Sequence, residues 1–230
     1  MAHADDADRK RRWNAPEKVE QFASRDADHR LSRLVGTYPR PQDIRVLDLG
    51  CAGGRNAALL AEVGFDLWAL DLADAMVERT RERVARWLGD TEAMRRVVEG
   101  RMTDLGVLPV SAFHLVVALG IYHQASTEDE WHAALAQTAR VLVPGGLCLV
   151  SVFAPGTVFD GRPLEPVPGA CFRFASHRGG TLCLRTPQAL DADFRALGLQ
   201  PEVPSEVVIG RGGDSTRVTV NALYRKRRAA

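Results

Sequence analysis

The sequence predicts an α/β protein with a doubly wound sheet of seven strands, mostly parallel and with an antiparallel C-terminal strand. Two observations support this fold class. Short apolar runs alternate with helical patterns between residues 43 and 153, and two further strand patterns near the C-terminus are separated by a glycine turn. The apolar runs are continuous, which is typical of strands covered on both faces of a sheet.

Residues 1–42 precede this alternation and are predicted to form a polar tail followed by a helical cap. Residues 1–12 carry mixed charges and are expected to have no regular structure. Pro16 suits the first turn of a helix, and a second short helix is expected over residues 28–35.

Residues 43–230 are predicted to form the main domain. Strands are expected over residues 45–49, 67–70, 96–99, 113–118 and 147–153, and helices over residues 55–63, 73–88 and 128–142. Because helices connect these strands, the strands should run parallel, and a ligand is expected beyond their carboxyl ends.

The last third of the chain departs from this alternation. Residues 154–185 are predicted to be an insertion after the fifth strand, made of a loop and of a hairpin around residues 178–180. A helix is expected over residues 187–197. Strands over residues 206–209 and 216–224 then form an antiparallel pair.

Composition excludes several functional classes. Hydrophobic residues make up 46% of the chain and the net charge is +1, so no general attraction to nucleic acid or anionic lipid is expected. The apolar runs are too short to span a bilayer, the N-terminus has no apolar signal core, and the cysteines lack metal-site spacing. We therefore expect a cytoplasmic protein with no metal, DNA or membrane partner.

The turn after the first strand is the most informative motif. Residues 48–54 read DLGCAGG, and Asp71 ends the second strand. Glycines let a ligand approach the backbone closely, and an acid at the end of the next strand can hold a ribose. The spacing is not that of the dinucleotide fingerprint, and the Asp48 carboxylate would disfavour a pyrophosphate but suit a cationic amine.

This turn is similar to the D-x-G-x-G-x-G motif of class I S-adenosylmethionine-dependent methyltransferases, with alanine for the middle glycine. Residues 139–147 resemble the L-x-P-G-G turn before the fifth strand of that family. The resemblance implies a Rossmann-like fold and S-adenosylmethionine as the methyl donor. The residues expected to bind the donor are Asp48, Gly50, Cys51, Ala52, Gly54, Asn56, Asp71, Leu72, Met76, Met102, Thr103, Leu119 and Arg25.

The third motif departs from the family pattern. Arg101 stands where the family has an acid that accepts from the adenine amino group, and Asp104 could supply that acceptor instead. Met102 would still pack against the adenine ring.

The acceptor is expected just after the fourth strand. His123 could act there as a general base or could simply line the pocket, and Tyr122 is the other candidate catalytic residue. The resemblance implies that the N-terminal cap and the insertion contribute to the acceptor site, although helix packing and a homodimer contact are alternatives. Candidate substrate contacts are Trp13, Phe22, His123, Phe153 and Phe172.

These features predict methyl transfer to an oxygen or nitrogen of a small molecule by in-line displacement. Residues 119–122 read LGIY rather than the [DNS]-P-P-[YFW] turn of enzymes that methylate exocyclic amines of bases, which argues against a DNA substrate. The alternatives are an RNA or protein methyltransferase and a catalytically silent nucleoside-binding protein. A dehydrogenase is a more distant possibility.

Overall fold

A computed structural model describes residues 2–228 of the chain, with side chains from residue 6 onward. The chain divides into two compact units. The first comprises the described residues through Val107 together with Ala112–Val117. The second comprises Leu108–Ser111 and the described residues from Ala118 onward.

A parallel sheet in the strand order β3-β2-β1-β4 organises the first unit. Its strands are β1 (Arg45–Leu49), β2 (Asp66–Asp71), β3 (Val97–Glu99) and β4 (Phe113–Leu119), the last of which continues into the second unit. β1 pairs in parallel with β2 and β4, and β2 with β3. The four residues Val46–Leu49 are all buried, and all but Asp48 are apolar, as expected for a strand covered on both faces.

Helices precede and connect these strands. They are α1 (Ala2–Trp13), α2 (Pro16–Ala23), α3 (His29–Val35), α4 (Arg55–Val63), α5 (Asp74–Leu88) and α6 (Asp90–Arg96). Asp28 caps α3 because its side chain accepts a hydrogen bond from the Arg30 N–H at 2.9 Å. Gly64 ends α4 with a left-handed φ of 95°, a conformation that glycine adopts without strain.

The expectation of no regular structure over residues 1–12 is wrong for the described part, which forms α1. The helix is held by charges distant in sequence. Lys10 Nζ lies 2.6 Å from Glu99 Oε1, and Asp6 pairs with Arg101. Asn14 donates to Asp74 at 2.6 Å. The sequence of α1 alone gives no sign of these partners. Because the helix has little apolar surface, it also lacks the apolar periodicity from which a helix is predicted.

The second unit is built around a long antiparallel strand pair. β5 (Leu142–Phe153) pairs with β13 (Ser215–Lys226), so that Phe153 lies opposite Thr219. β11 (Leu199–Pro201) and β12 (Glu206–Gly212) also pair antiparallel with β13. The helices of this unit are α7 (Glu128–Val141) and α8 (Pro187–Ala196), and a 3-10 turn covers Tyr122–Gln124.

The predicted insertion after β5 contains short strands. β6 (Val158–Phe159) pairs with β7 (Arg162–Pro163) and with β13. β8 (Glu165–Pro166), β9 (Arg173–Ala175) and β10 (Thr181–Cys183) form a separate antiparallel sheet, whose β9–β10 hairpin lies where the glycine pair predicts it. Phe159, Leu164, Leu182 and Leu184 form a small apolar cluster in this region.

The predicted fold class is confirmed. The chain has an α/β, Rossmann-like fold with a mostly parallel central sheet and an antiparallel C-terminal strand. Within residues 2–228, no helix combines the length and apolar character needed to cross a membrane.

Candidate functional site

The glycine turn of residues 50–54 connects β1 to α4 in the first unit. The N–H groups of Gly50 and Cys51 both donate to the Leu70 carbonyl oxygen, at 2.8 and 3.1 Å, which fixes the turn to the end of β2. Ala52 adopts a left-handed φ of 48°, a conformation that favours glycine, the residue at this position of the D-x-G-x-G-x-G motif. Two contacts hold this conformation, because the Thr80 hydroxyl donates to the Ala52 carbonyl and Asp71 accepts from its N–H.

Asp71 lies at the carboxyl end of β2 and braces the turn. Its Oδ2 accepts from the Ala52 N–H at 2.9 Å, and its Oδ1 accepts from the Ala73 N–H at 3.0 Å. Burial raises the pKa of this carboxyl, while the surrounding N–H groups lower it. Each oxygen keeps a further lone pair, so the carboxylate can also accept from ribose hydroxyls.

Asp48 lies on β1 directly before the turn and is only 1% exposed. Its Oδ2 is buried and has no hydrogen-bond partner among the described residues. Burial raises the pKa of Asp48 to about 7, with Asp71 adding to the rise and Arg55 opposing it. An unsatisfied buried carboxylate oxygen is costly, and a cationic ligand group would relieve it.

The N-terminal cap packs directly on the turn. A Cβ placed on Gly53 would lie 2.7 Å from the backbone nitrogen of Ala23, at the end of α2. The Arg83 guanidinium donates to the carbonyl oxygens of both residues. Asn56, on the first turn of α4, accepts from the Asp28 N–H at 3.0 Å. The Asn56 side chain therefore joins the cap to the turn. Its predicted contact with the methyl donor stays a prediction.

We expect Gly53→Ala to lower the free energy of unfolding by about 1–3 kcal/mol, because the methyl group would displace α2 from the turn. Urea denaturation checks this. The matched control is Gly36→Ala, where φ is −66° and a Cβ would meet only carbonyl oxygens at 3.5 Å or more. That change should leave stability unchanged or raise it by up to about 1 kcal/mol. Equal stabilities of the two variants would contradict the packing.

The third motif is occupied by contacts within the first unit. Met102 is buried, and Arg101 binds Asp6 of α1 and donates to Thr103 Oγ1 at 3.4 Å. Asp104 Oδ1 accepts from the Gly106 N–H at 3.0 Å, which leaves Oδ2 as the oxygen available for an adenine amino group.

The other predicted site residues of the first unit lie either near β2 and α5 or in the N-terminal cap. Met76 is 1% exposed and belongs to the core, whereas Leu72 is partly buried after β2. In the cap, the Trp13 and Phe22 rings pack edge to face at 5.3 Å, and the Arg25 guanidinium lies 4.4 Å from the centre of the Phe22 ring. These contacts agree with helix packing. The predicted contacts of Arg25 with the methyl donor, and of Trp13 and Phe22 with the methyl acceptor, stay predictions.

His123 is the best-placed polar side chain of the second unit. Its Nδ1 accepts from the Phe153 N–H at 3.2 Å, and the two rings lie 4.0 Å apart. The ring is 4% exposed, and burial lowers the pKa of His123 to about 3, with the charge of Arg217 as a second cause. Because Nδ1 is an acceptor, the neutral ring carries its proton on Nε2 and offers a donor rather than a base.

Tyr122 belongs to the core. It is fully buried, and its hydroxyl lies 2.7 Å from Thr138 Oγ1 and 3.9 Å from Cys148 Sγ. Burial raises the pKa of its hydroxyl well above the ordinary value. We therefore no longer consider Tyr122 a candidate catalytic residue, because its hydroxyl is buried and hydrogen-bonded within the protein. The sequence pattern could not show this, since the residue directly follows a strand end.

The two candidate phenylalanines have different surroundings. Phe153 contacts His123 and packs at 5.6 Å against Phe159 of the insertion. Phe172 packs against Trp131 at 5.8 Å, and the Arg185 guanidinium lies 4.0 Å from its ring centre. Phe153 therefore remains next to the candidate acceptor position, whereas Phe172 supports the insertion. Leu119, at the end of β4, is partly buried.

Two residues that belong to none of the sequence motifs also position the glycine turn. Thr80 and Arg83 both lie on α5, in its second and third turns. Their spacing of three places them on one helix face, and this face turns toward the start of α4. That spacing was the available signal.

Comparisons with known proteins agree with this geometry. Residues 46–146 match a family model described as a methyltransferase domain. The 27-O-demethylrifamycin SV methyltransferase of Amycolatopsis mediterranei is 27% identical over 188 residues, which are 79% of this chain and 64% of that protein. The malonyl-[acyl-carrier protein] O-methyltransferase of Serratia marcescens is 31% identical over 137 residues, which are 58% of this chain and 47% of that protein. The chain thus spans less than two thirds of the length of these curated relatives.

A solved structure shares the fold. The 1,6-didemethyltoxoflavin-N1-methyltransferase of Burkholderia thailandensis, crystallised with 1,6-didemethyltoxoflavin and S-adenosylhomocysteine, superposes with a TM-score of 0.62. The two chains are 23% identical, and the match covers 96% of this chain and 83% of that one.

Residues 46–146 therefore match a methyltransferase domain, and this match and the two curated methyltransferases support the predicted resemblance to the class I S-adenosylmethionine-dependent family. The cofactor of this family is S-adenosylmethionine. The residues present fit it, because the unpartnered Asp48 Oδ2 offers an acceptor for its ammonium group and Asp71 offers acceptors for its ribose.

Proposed function

We propose that this protein transfers a methyl group from S-adenosylmethionine to an oxygen or nitrogen of a small-molecule acceptor. The observation that carries the proposal is the buried, unpartnered Oδ2 of Asp48 beside the glycine turn. A dinucleotide would bring phosphates to this turn, which the carboxylate disfavours. A zwitterionic amino-acid group with an ammonium supplies the missing partner.

The first unit supplies the residues that would hold the donor. Asp71 would accept from the ribose hydroxyls, Asp48 would face the ammonium, and Met102 would pack against the adenine. When bound, S-adenosylmethionine supplies a methyl group already activated by the sulfonium. The remaining task of the protein is to hold the acceptor in line and to exclude water, which accounts for much of the acceleration of such a displacement.

The second unit supplies the candidate acceptor residues. The Phe153 ring gives an apolar wall, and His123 presents its Nε2–H beside it. This donor can orient an acceptor oxygen or nitrogen but cannot remove its proton. An acceptor that reacts without a protein base agrees with this arrangement.

A small acceptor is supported by two of the similar proteins, whose names refer to a rifamycin derivative and a toxoflavin derivative. A third name refers to a malonyl group on an acyl-carrier protein. The net charge of +1 gives no support to an RNA substrate.

We expect His123→Asn to keep turnover within about tenfold of the wild type, because the asparagine carbonyl oxygen can accept from the Phe153 N–H in place of Nδ1. The measurement is kcat against pH with the acceptor identified below. Loss of a general base would instead lower kcat by about 10²–10⁴-fold. Such a loss, together with an acid limb of the wild-type profile that disappears in the variant, would restore His123 as a base.

Two measurements test the function. Calorimetry with S-adenosylmethionine and S-adenosylhomocysteine should show binding of both, and absence of heat with either would end the proposal. Methyl-labelled donor is then incubated with cell extract divided by ultrafiltration into small molecules and macromolecules. Label in the small-molecule filtrate is expected. Label confined to the macromolecules would indicate an RNA or protein substrate, and binding without transfer would indicate a silent nucleoside-binding protein.

A further inference from the structure

Arg217 lies on β13 just beyond the carboxyl end of β5. Thr219 is opposite Phe153, the last residue of β5, and the two strands are antiparallel. Side chains two apart on a strand point to the same face, so Arg217 extends on the face that carries Phe153. It reaches past the end of β5, at the side of a parallel-strand fold where ligands bind.

The Arg217 guanidinium is exposed and has no ion pair or hydrogen bond within residues 2–228. Other arginines of the second unit are committed to carboxylates, such as Arg185 to Asp193 at 2.5 Å and Arg225 to Glu202 at 2.5 Å. Gly210 is opposite Arg217 on β12, and a Cβ placed there would meet no atom within 4 Å. The side chain therefore has open space around it and an unused charge.

The imidazole of His123 is the second polar group on which the inference depends. The strand register brings Arg217 to the end of β5 that also carries the hydrogen bond between Phe153 and His123. In agreement with this, the charge of Arg217 is, after burial, a cause of the low pKa of His123. His123 carries its proton on Nε2, because Nδ1 accepts from the Phe153 N–H. Two donors beside an aromatic wall favour a ligand with a negatively charged oxygen group attached to an apolar body.

We infer that the acceptor carries an anionic group, a carboxylate or a phosphate, and that Arg217 binds it. The inference rests on the proposed function and specifies the substrate class for the same site. Phe153 and His123 would contact the body of the acceptor, while the guanidinium forms two parallel hydrogen bonds to the anion. Arg217 thus selects the substrate and takes no part in the bond changes.

The test uses methyl-labelled S-adenosylmethionine and the small-molecule filtrate of cell extract. An anion exchanger divides the filtrate into a retained, anionic pool and an unretained pool. Wild-type protein should incorporate label from the anionic pool. Arg217→Gln should lower this incorporation by roughly 10- to 100-fold, the effect of losing a charge-assisted contact. The control is Arg211→Gln, an exposed arginine on the opposite face of the same hairpin, and it should match the wild type.

The experiment distinguishes failure of the anionic-acceptor inference from failure of the proposed methyl transfer. Label from the unretained pool alone, or equal incorporation by Arg217→Gln and wild type, overturns the anionic acceptor and leaves methyl transfer standing. No label from either pool, with S-adenosylhomocysteine still bound in calorimetry, overturns the proposed function itself. For the purified acceptor, Arg217→Gln should raise KM while kcat and the Kd for S-adenosylhomocysteine stay unchanged. A fall in kcat alone would count against a binding role.

Discussion

Replacing Asp48 with asparagine is expected to stabilise the ligand-free protein above neutral pH and, at the same time, to weaken donor binding. The carboxyl is buried on β1, its Oδ2 has no partner among the described residues, and burial raises its pKa to about 7. Ionising such a group in the folded protein is unfavourable, whereas in the unfolded chain it ionises near its ordinary pKa of 3.8.

The dependence on pH follows from this difference. Between about pH 4 and about pH 7 the folded protein holds the Asp48 proton and the unfolded chain does not. The free energy of unfolding therefore falls as the pH rises through this interval and levels off above it. At about 1.4 kcal/mol per pH unit, the fall attributable to Asp48 has an upper value of about 4 kcal/mol. In Asp48→Asn this fall should be absent, and urea denaturation over a series of pH values measures the difference.

Donor binding should change in the opposite direction. A cationic ammonium favours the ionised carboxylate, so the affinity of the wild type for S-adenosylhomocysteine should rise from about pH 6 to about pH 8. Asp48→Asn should bind more weakly at the upper pH and without this slope, as calorimetry can show. The control is Asp43→Asn, a half-exposed carboxylate paired with Arg40. Wild-type affinity in Asp48→Asn would remove Asp48 from the donor site.

The elements that the sequence predicts well are bounded by local signals. α4 was expected over residues 55–63 and forms there, because Gly54 and Gly64 at its two ends both adopt left-handed conformations. β1 and α8 are similarly defined, the first by a continuous apolar run and the second by Pro187 at its first turn.

The elements missed depend on partners distant in sequence. α1 is held by Glu99, Arg101 and Asp74, which a window of neighbouring residues does not include. α6 begins after Gly89 and is held by Arg96, which pairs with Asp66 on β2. β5 begins at Leu142, but its pairing with β13 begins at Leu147, which is where the apolar run predicts the strand.

The candidate site shows the same division. The positions of Asp48 and Asp71 followed from the motif, whereas the missing partner of Asp48 Oδ2 required coordinates. The sequence leaves the role of His123 open between base and pocket wall, and the hydrogen bond from the Phe153 N–H to Nδ1 favours a ring that donates through Nε2. Arg217 lies in no motif, so only strand register brings it beside Phe153.

Asp71→Asn is expected to weaken binding of S-adenosylhomocysteine by about 1–3 kcal/mol, or roughly 5- to 150-fold. The wild-type carboxylate accepts from the Ala52 N–H and the Ala73 N–H while leaving lone pairs for a ribose. Asparagine has a single acceptor oxygen, so its amide nitrogen would face one of these N–H donors. The variant therefore loses both the ribose acceptor and part of the support of the turn.

A ligand cycle separates these two losses. The affinities of wild type and Asp71→Asn are measured for S-adenosylhomocysteine and for its 2′-deoxy analogue. If Asp71 accepts from the ribose, removing the hydroxyl weakens binding to the wild type and changes binding to the variant much less. If Asp71 only supports Ala52 in its left-handed conformation, the substitution lowers the affinity for both ligands by the same factor. That equality would leave Asp71 as a support of the turn and return the ribose to another residue of the site.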